Sequence, residues 1–135
     1  MGKKCALLTM DDLSNFQCYD NLIISPLRKL GWECDFVSWE SRVVDWDQYK
    51  SVIIRSTWNY QEKFEDFITV LREIDISNTV LYNSIDIIEW NINKQYLKDL
   101  EEKKIEIVPS FFYKDFNSKE IYQSFSNFNS KKLII

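Results

Sequence analysis

The chain has 135 residues, of which 45% are hydrophobic and 28% are charged, and its formal net charge is −4. This composition indicates a globular protein with a buried core rather than a disordered chain. The acidic balance and the scattered lysines and arginines argue against a nucleic-acid partner, which would need a concentrated basic face.

Residue types that are absent or rare narrow the chemistry further. There is no histidine, which excludes Ser-His-Asp triads, Cys-His dyads and histidine metal sites. The two glycines, Gly2 and Gly31, cannot supply a dinucleotide fingerprint or a P-loop. The three cysteines are far apart in sequence and are interpreted as reduced, buried side chains. No apolar run is long enough for a signal peptide or a membrane span, so we expect a cytoplasmic protein with no membrane partner.

Short apolar runs that favour strands alternate with amphipathic segments that favour helices. In chain order we predict strand 5–9, helix 19–30, strand 34–37, strand 51–54, helix 62–74, strand 79–82, helix 93–103, strand 107–113, a weaker helix 118–128 and strand 132–135. Gly31 is predicted to end the first helix. Pro26 is predicted to kink that helix or to restart it, with Ser25 as the cap of the restarted part.

The alternation of strands and helices predicts an α/β fold with a mainly parallel, Rossmann-like sheet. Several strand runs are apolar throughout, as expected for strands that are covered on both faces. We expect residues 1–90 to form this domain and residues 91–135 to begin a second, small α+β unit. The last run ends in the middle of a strand pattern, which indicates either a truncated protein or an edge strand that needs a partner.

The end of the third predicted strand is the most polar of the strand ends, and open α/β sheets bind ligands outside the carboxyl ends of their strands. Arg55 offers a rigid fork for a carboxylate or a phosphate, and Ser56 and Thr57 add hydroxyl groups. Trp58 could wall a pocket, and Asn59 adds an amide. We predict that these five residues bind substrate. The alternative is that Ser56 or Thr57 merely caps the following helix.

Two acids, Asp11 and Asp12, follow the first predicted strand and belong to the same rim, so they are also candidate substrate-binding residues. An acid pair here could hold Mg²⁺, as in phosphoacceptor receiver domains. Those domains need a further aspartate where this chain has Arg55, so we predict no metal site. The alternative is a solvated turn or capping pair, or an ion pair of either acid with Arg55. No catalytic residue is predicted.

Three stretches, in matching order, resemble bacterial ATP-grasp ligases related to glutathione synthetase and the RimK-type enzymes. Residues 44–60, VDWDQYKSVIIRSTWNY, resemble the strand and R-S-T-W-[DN]-Y loop of the N-terminal domain of that family. Residues 81–113 are similar to its next segment, with an Asn after the fourth strand, then W-N-x-x-K-x-Y-L, then V-P-[ST]. Residues 19–39 are similar to its first helix and second strand.

The resemblance implies that residues 1–90 are a pre-ATP-grasp substrate domain and that residues 91–135 begin the ATP-grasp subdomain. It implies ligation through an acyl phosphate, with ATP and Mg²⁺ as cofactors of the full-length protein and a small-molecule carboxylate or amine as substrate. Lys94 matches the first of the two lysines of the family that contact ATP phosphates. The second lysine, the phosphate-covering loop and the Mg²⁺ ligands would follow residue 135. We therefore expect this chain alone to be inactive and to bind neither cofactor tightly.

A rival hypothesis from a different class is a non-catalytic Rossmann-like binding or dimerisation module. Its terminal strand, residues 131–135, would then complete the sheet of a partner or of a homodimer. A third hypothesis is that the chain is half of an amidotransferase or a glycosyltransferase domain. No nucleophile motif in the sequence supports it.

Overall fold

The computed structural model describes residues 2–113, 115, 117–129, 131 and 132. The elements, in chain order, are β1 (Lys3–Thr9), α1 (Asn21–Lys29), β2 (Trp32–Ser38), a 3-10 turn (Trp46–Gln48), β3 (Ser51–Ser56), a second 3-10 turn (Tyr60–Lys63), α2 (Phe64–Asp75), β4 (Val80–Tyr82), α3 (Ile85–Asn91), α4 (Tyr96–Glu102) and α5 (Ser118–Asn127). The chain divides into two compact units, Met1–Trp90 and Asn91–Ile135.

The first unit is built on a four-stranded sheet in the order β2-β1-β3-β4, in which every neighbouring pair is parallel. β1 is central, and its neighbouring residues Leu7 and Leu8 are both fully buried. Because successive side chains point to opposite faces of a sheet, this burial means that both faces are covered at β1. The predicted α/β fold with a mainly parallel, Rossmann-like sheet is confirmed.

The core continues into α2, which packs one apolar stripe inward. Phe67, Ile68, Leu71 and Ile74 are buried, and their spacing places them on one face of a helix. The helix was predicted over residues 62–74. The structure begins it at Phe64, after the 3-10 turn Tyr60–Lys63, which brings the chain from β3 into the helix.

Helix α1 ends as predicted but is not interrupted. Gly31 follows it with φ +80°, a conformation that favours glycine, and its N–H donates to the carbonyl of Arg28 at 3.0 Å. Pro26 lies inside the continuous helix, and Asp20 occupies the N-cap position, so the prediction of a restart capped by Ser25 is wrong. Since α1 has no buried residue, solvent reaches the turn in which Pro26 removes a backbone donor.

In the second unit the described residues form two helices, α4 and α5. The prediction of a strand over residues 107–113 is wrong, because this segment has no ladder partner among the described residues. Pro109 cannot donate to a ladder, and Val108 is 79% exposed. The predicted strand 132–135 lies, apart from its first residue, outside the described residues. That the two units are a substrate domain and the start of an ATP-grasp subdomain stays a prediction.

The described helices are short, and the longest, α2, has 12 residues. None of them has the length and apolar character that crossing a bilayer requires. The cellular compartment stays a prediction.

Candidate functional site

The carboxyl ends of β1, β2 and β3 form a polar rim at one edge of the sheet. This rim carries the seven predicted substrate-binding residues, because parallel strands bring their carboxyl ends to the same edge. Two clusters of side chains organise it. The arginine cluster consists of Cys18, Asp20, Arg55 and Ser56. The glutamate cluster consists of Asp11, Trp39, Glu40, Asn59 and Lys63.

The arginine cluster joins the N-terminus of α1 to the end of β3. Arg55 donates from Nε and from Nη2 to the same oxygen of Asp20, Oδ1, at 2.9 and 2.7 Å. Ser56 donates from its hydroxyl to the other oxygen, Oδ2, at 2.5 Å. The Cys18 thiol lies 3.2 Å from the Ser56 hydroxyl. Asp20 is therefore held at both oxygens, and it in turn fixes the position of Arg55.

Burial and hydrogen bonding shift the pKa of Asp20 in opposite directions. The carboxylate is only 3% exposed, and this desolvation, the largest single influence, raises its pKa. Hydrogen bonds from Ser56, Arg55 and Cys18, together with the charge of Arg55, outweigh it and hold the pKa of Asp20 below its ordinary value. Asp20 is therefore an ionised carboxylate at neutral pH, and its negative charge is matched by Arg55.

The glutamate cluster ties the ends of β1, β2 and β3 together. Glu40 accepts from the backbone N–H of Asp11 at 3.0 Å and from the Lys63 ammonium at 2.9 Å. These two hydrogen bonds, in that order, hold the pKa of Glu40 below its ordinary value. Trp39 donates from its indole to the side-chain oxygen of Asn59 at 2.9 Å. Glu40 and Asn59 are thus engaged in holding the rim together.

The predicted residues differ in how open they are to a ligand. Ser56 and Thr57 are buried, whereas Arg55 and Trp58 are exposed. Neither Ser56 nor Thr57 caps the following helix, since no side-chain cap is formed at the second 3-10 turn or at α2. The capping alternative is therefore wrong, and Ser56 instead donates to Asp20. The Trp58 ring lies against the ring of Phe16, with centroids 5.0 Å apart, and its role as the wall of a pocket stays a prediction.

Asp11 and Asp12 are both exposed on the rim, and neither pairs with Arg55. The ion pair predicted as an alternative exists, but its acid is Asp20. Asp12 accepts the backbone N–H of Ser14 at 2.8 Å, which makes it part of a local turn. Hydrogen bonding from Ser14 also lowers the pKa of Asp12.

Lys94, the predicted ATP contact, lies just before α4 in the second unit. Its ammonium is exposed and lies 5.7 Å from the centroid of the Tyr96 ring. One ammonium group matches little of the charge of a nucleoside triphosphate. Among the described residues, no group of three or more acids or cysteines is placed to hold a metal ion. The role of Lys94 as an ATP contact stays a prediction, and we derive no phosphoryl-transfer step from the described residues.

Sequence reasoning missed Asp20 and Phe16, both from the segment between β1 and α1. Phe16 reaches Trp58, Cys18 reaches Ser56, and Asp20 reaches Arg55. An acid immediately before a predicted helix is a recognisable cap signal, but its pairing with Arg55, 35 residues away, is a tertiary contact.

Comparison with known proteins gives one consistent group of relatives. A family model described as the N-terminal domain of D-cycloserine synthetase DcsG matches residues 5–83. That range begins in β1, ends just after β4, and includes every residue of both rim clusters. The cycloserine biosynthesis protein DcsG of Streptomyces lavendulae is 25% identical over 88 residues, which are 65% of this chain and 29% of the relative.

The crystal structure of D-cycloserine synthetase DcsG is similar to this chain with a TM-score of 0.64 and 24% sequence identity. The match covers 78% of this chain and 35% of that one. At this identity the likeness establishes the fold. This chain spans about a third of the length of the relatives that it matches.

Proposed function

We propose that this chain, which belongs to the family of D-cycloserine synthetase DcsG N-terminal domains, is the substrate-side domain of an ATP-dependent carboxylate–amine ligase. The observation that carries the proposal is the family match over residues 5–83, because that segment contains the whole polar rim of the sheet. A synthetase of this kind joins small molecules, and a rim that presents Arg55 is suited to an anionic one.

The finer assignment, to ATP-grasp ligases similar to glutathione synthetase and the RimK-type enzymes, is part of the same proposal. It is supported by the R-S-T-W-N-Y loop at residues 55–60 and by the W-N-x-x-K-x-Y-L pattern that includes Lys94. In such an enzyme ATP converts a carboxylate to an acyl phosphate, and an amine then displaces the phosphate. The part that we assign to this chain is to hold the carboxylate substrate at the rim.

The relative named as a D-cycloserine synthetase suggests a probe, since D-cycloserine is a cyclised relative of D-serine, and D-serine keeps the free carboxylate that the ring has lost. We expect D-serine, added at millimolar concentration to the isotope-labelled chain, to shift the backbone amide resonances of residues 55–59. Arg55→Gln should abolish this response. Arg72→Gln is the matched control, because Arg72 makes the same kind of ion pair on the surface of α2. Shifts that survive Arg55→Gln, or none at all, would count against substrate binding at the rim.

Calorimetric titration with Mg-ATP tests the other half of the assignment. We expect no low-micromolar binding to the 135-residue chain. Among the described residues, only Lys94 matches a nucleotide-contacting position of the ATP-grasp family. Low-micromolar binding would mean that the nucleotide site lies within this chain, which would overturn its assignment to the substrate side alone.

A further inference from the structure

The guanidinium of Arg55 has two edges that can donate pairs of hydrogen bonds, and the structure uses only one. Nε and Nη2, which form the side edge, both donate to Oδ1 of Asp20. Of the five N–H groups of an arginine, three are left with no partner among the described residues. They include the end edge, formed by Nη1 and Nη2. The side chain is 43% exposed, and no described residue accepts a hydrogen bond from this end edge.

The acid that holds Arg55 is itself buried and held by a second hydrogen bond. The Asp20 side chain is 4% exposed, and its second oxygen accepts the Ser56 hydroxyl at 2.5 Å. Ser56 is also buried, and its backbone carbonyl accepts the hydroxyl of Thr9 at 3.3 Å. Asp20 therefore holds the guanidinium in place, and the buried Ser56 at the end of β3 holds Asp20.

A second arginine shows what the same contact looks like without this support. Arg72 donates from Nε and Nη2 to a single oxygen of Glu89, at 3.0 and 2.6 Å, which is the bonding pattern of Arg55 and Asp20. Both partners are exposed there, with side chains 62% and 41% accessible. An exposed pair of this kind is mobile and contributes little to stability. The difference between the two pairs is the burial of the acid.

We propose that Asp20 is a positioning residue that aims the end edge of Arg55 outward as the binding site for the carboxylate of the substrate. A planar carboxylate matches two parallel N–H groups of a guanidinium in distance and direction. Because Asp20 neutralises the charge of Arg55, the site selects by geometry rather than by net charge. This inference rests on the proposed function for the view that the ligand is a substrate of a ligase.

The aromatic pair Phe16–Trp58 comes from the same two segments of chain as Asp20 and Arg55. Asp20 contacts Arg55, and four residues earlier Phe16 contacts Trp58 with a centroid distance of 5.0 Å. Two residues separate Arg55 from Trp58, so their Cα atoms are at most about 11 Å apart. The aromatic pair therefore belongs to the same part of the rim as the proposed carboxylate site.

The test is anion selectivity, measured on the full 135-residue chain by the Arg55 side-chain N–H resonances during titration. The probes are acetate, which is planar and bidentate, and chloride, which is spherical, with acetamide as the neutral isostere of acetate. We expect wild-type protein to prefer acetate over chloride by about tenfold, the effect of one additional charge-assisted hydrogen bond. Acetamide should give no saturable response.

The two explanations for Asp20 predict opposite results for Asp20→Asn. If Asp20 positions Arg55, the variant loses most of its preference for acetate over chloride. If Arg55 attracts anions only by its charge, removing the neighbouring negative charge strengthens the binding of both anions and leaves their ratio unchanged. The second result overturns the proposal.

Two further variants keep the test decisive if Asp20→Asn does not fold. Arg55→Lys keeps the charge but removes the fork, and it should also abolish the selectivity, here followed by the amide resonances of residues 55–59. Ser56→Ala removes the support behind Asp20 and should reduce the selectivity by a smaller factor. Selectivity that is unchanged in both variants would overturn the proposal, whereas Arg72→Gln should leave it unchanged.

The outcomes separate this inference from the proposed function. Acetate selectivity that depends on Arg55 but not on Asp20 removes the positioning role and leaves the rim as the substrate site. D-serine that binds without involving Arg55 removes the rim assignment itself. Selective acetate binding that depends on both Arg55 and Asp20 supports the positioning role, whatever the nucleotide titration shows.

Discussion

The two units of the chain are ordered by different kinds of interaction. Every buried apolar side chain among the described residues belongs to the first unit, whose core joins β1, β3 and α2. In the second unit the only buried residue among those described is Ser124. Its side chains make partly exposed contacts instead, such as the stacked rings of Phe111 and Phe128 with centroids 4.4 Å apart. We infer that a buried core stabilises the first unit and that partly exposed contacts stabilise the second.

Among the substitutions that test this comparison, the largest loss of stability is expected from truncating a core side chain of α2. Leu71 is fully buried, so Leu71→Ala removes its contacts and leaves a cavity that costs about 2–5 kcal/mol. Leu97→Ala, in the half-buried face of α4, is the matched substitution in the second unit and should cost less than about 1 kcal/mol. Hydrogen exchange of the backbone amides measures the loss of stability in each unit separately. Similar losses from both variants would contradict the contrast between the units.

The same difference between the units explains which predictions from sequence succeeded. Apart from α3, which was not predicted, the strands and helices of the first unit were predicted with small errors at their ends, because apolar runs and stripes that fill a core leave a clear periodic pattern. Residues 107–113 carry a similar apolar pattern, but a strand exists only where a neighbour pairs with it, and no local pattern reports that neighbour. Apolar residues such as Val108 remain exposed there.

The candidate site was predictable to the level of the rim and no further. The rule that ligands bind at the carboxyl ends of parallel strands led to Arg55, whose side chain is 43% exposed, and its role as a ligand contact stays a prediction. Asp11 and Asp12 were considered as its ion-pair partners because they follow the neighbouring strand. The chain instead turns back after Asp12 and brings Asp20 to Arg55, a pairing that depends on tertiary structure.

A smaller effect is expected from the buried carboxylate of the first unit. Asp20→Asn keeps the shape of the side chain but weakens the hydrogen bonds from Arg55 and Ser56, so it should destabilise the protein by about 1–3 kcal/mol. Glu89→Gln makes the same change in the exposed pair with Arg72 and should cost less than about 0.5 kcal/mol. Urea unfolding of the two variants compares them directly. A cost for Glu89→Gln as large as that for Asp20→Asn would show that burial does not distinguish the pairs.

In the second unit, the hydrogen-bonded group to compare with Asp20 is the N-terminal cap of α5. Asn117 accepts the backbone N–H groups of Lys119 and Glu120, and the Glu120 carboxylate accepts the N–H of Asn117 in return. Asn117→Ala should cost about 1 kcal/mol of local stability, and hydrogen exchange should become faster only in α5. Gln123→Ala, at an exposed position inside the same helix, is the control. Faster exchange throughout β1 after Asn117→Ala would mean that the second unit does not open independently.

The smallest expected effect is the pH dependence that Asp20 gives to the first unit. Its pKa is lowered in the folded protein from an ordinary value of 3.8 by hydrogen bonds that outweigh desolvation. A carboxyl group whose pKa is lower in the folded state contributes stability above its unfolded pKa, and that contribution is lost as the pH falls through the folded value. The difference in unfolding free energy between wild type and Asp20→Asn should therefore be constant from about pH 7 to pH 5 and should shrink below about pH 4. Glu40, Asp35 and Asp12 also have lowered pKa values, so both proteins lose stability in acid, and only the difference between them reports on Asp20. A difference that widens as the pH falls would show that Asp20 has a raised pKa in the folded protein and is not held ionised by Arg55 and Ser56.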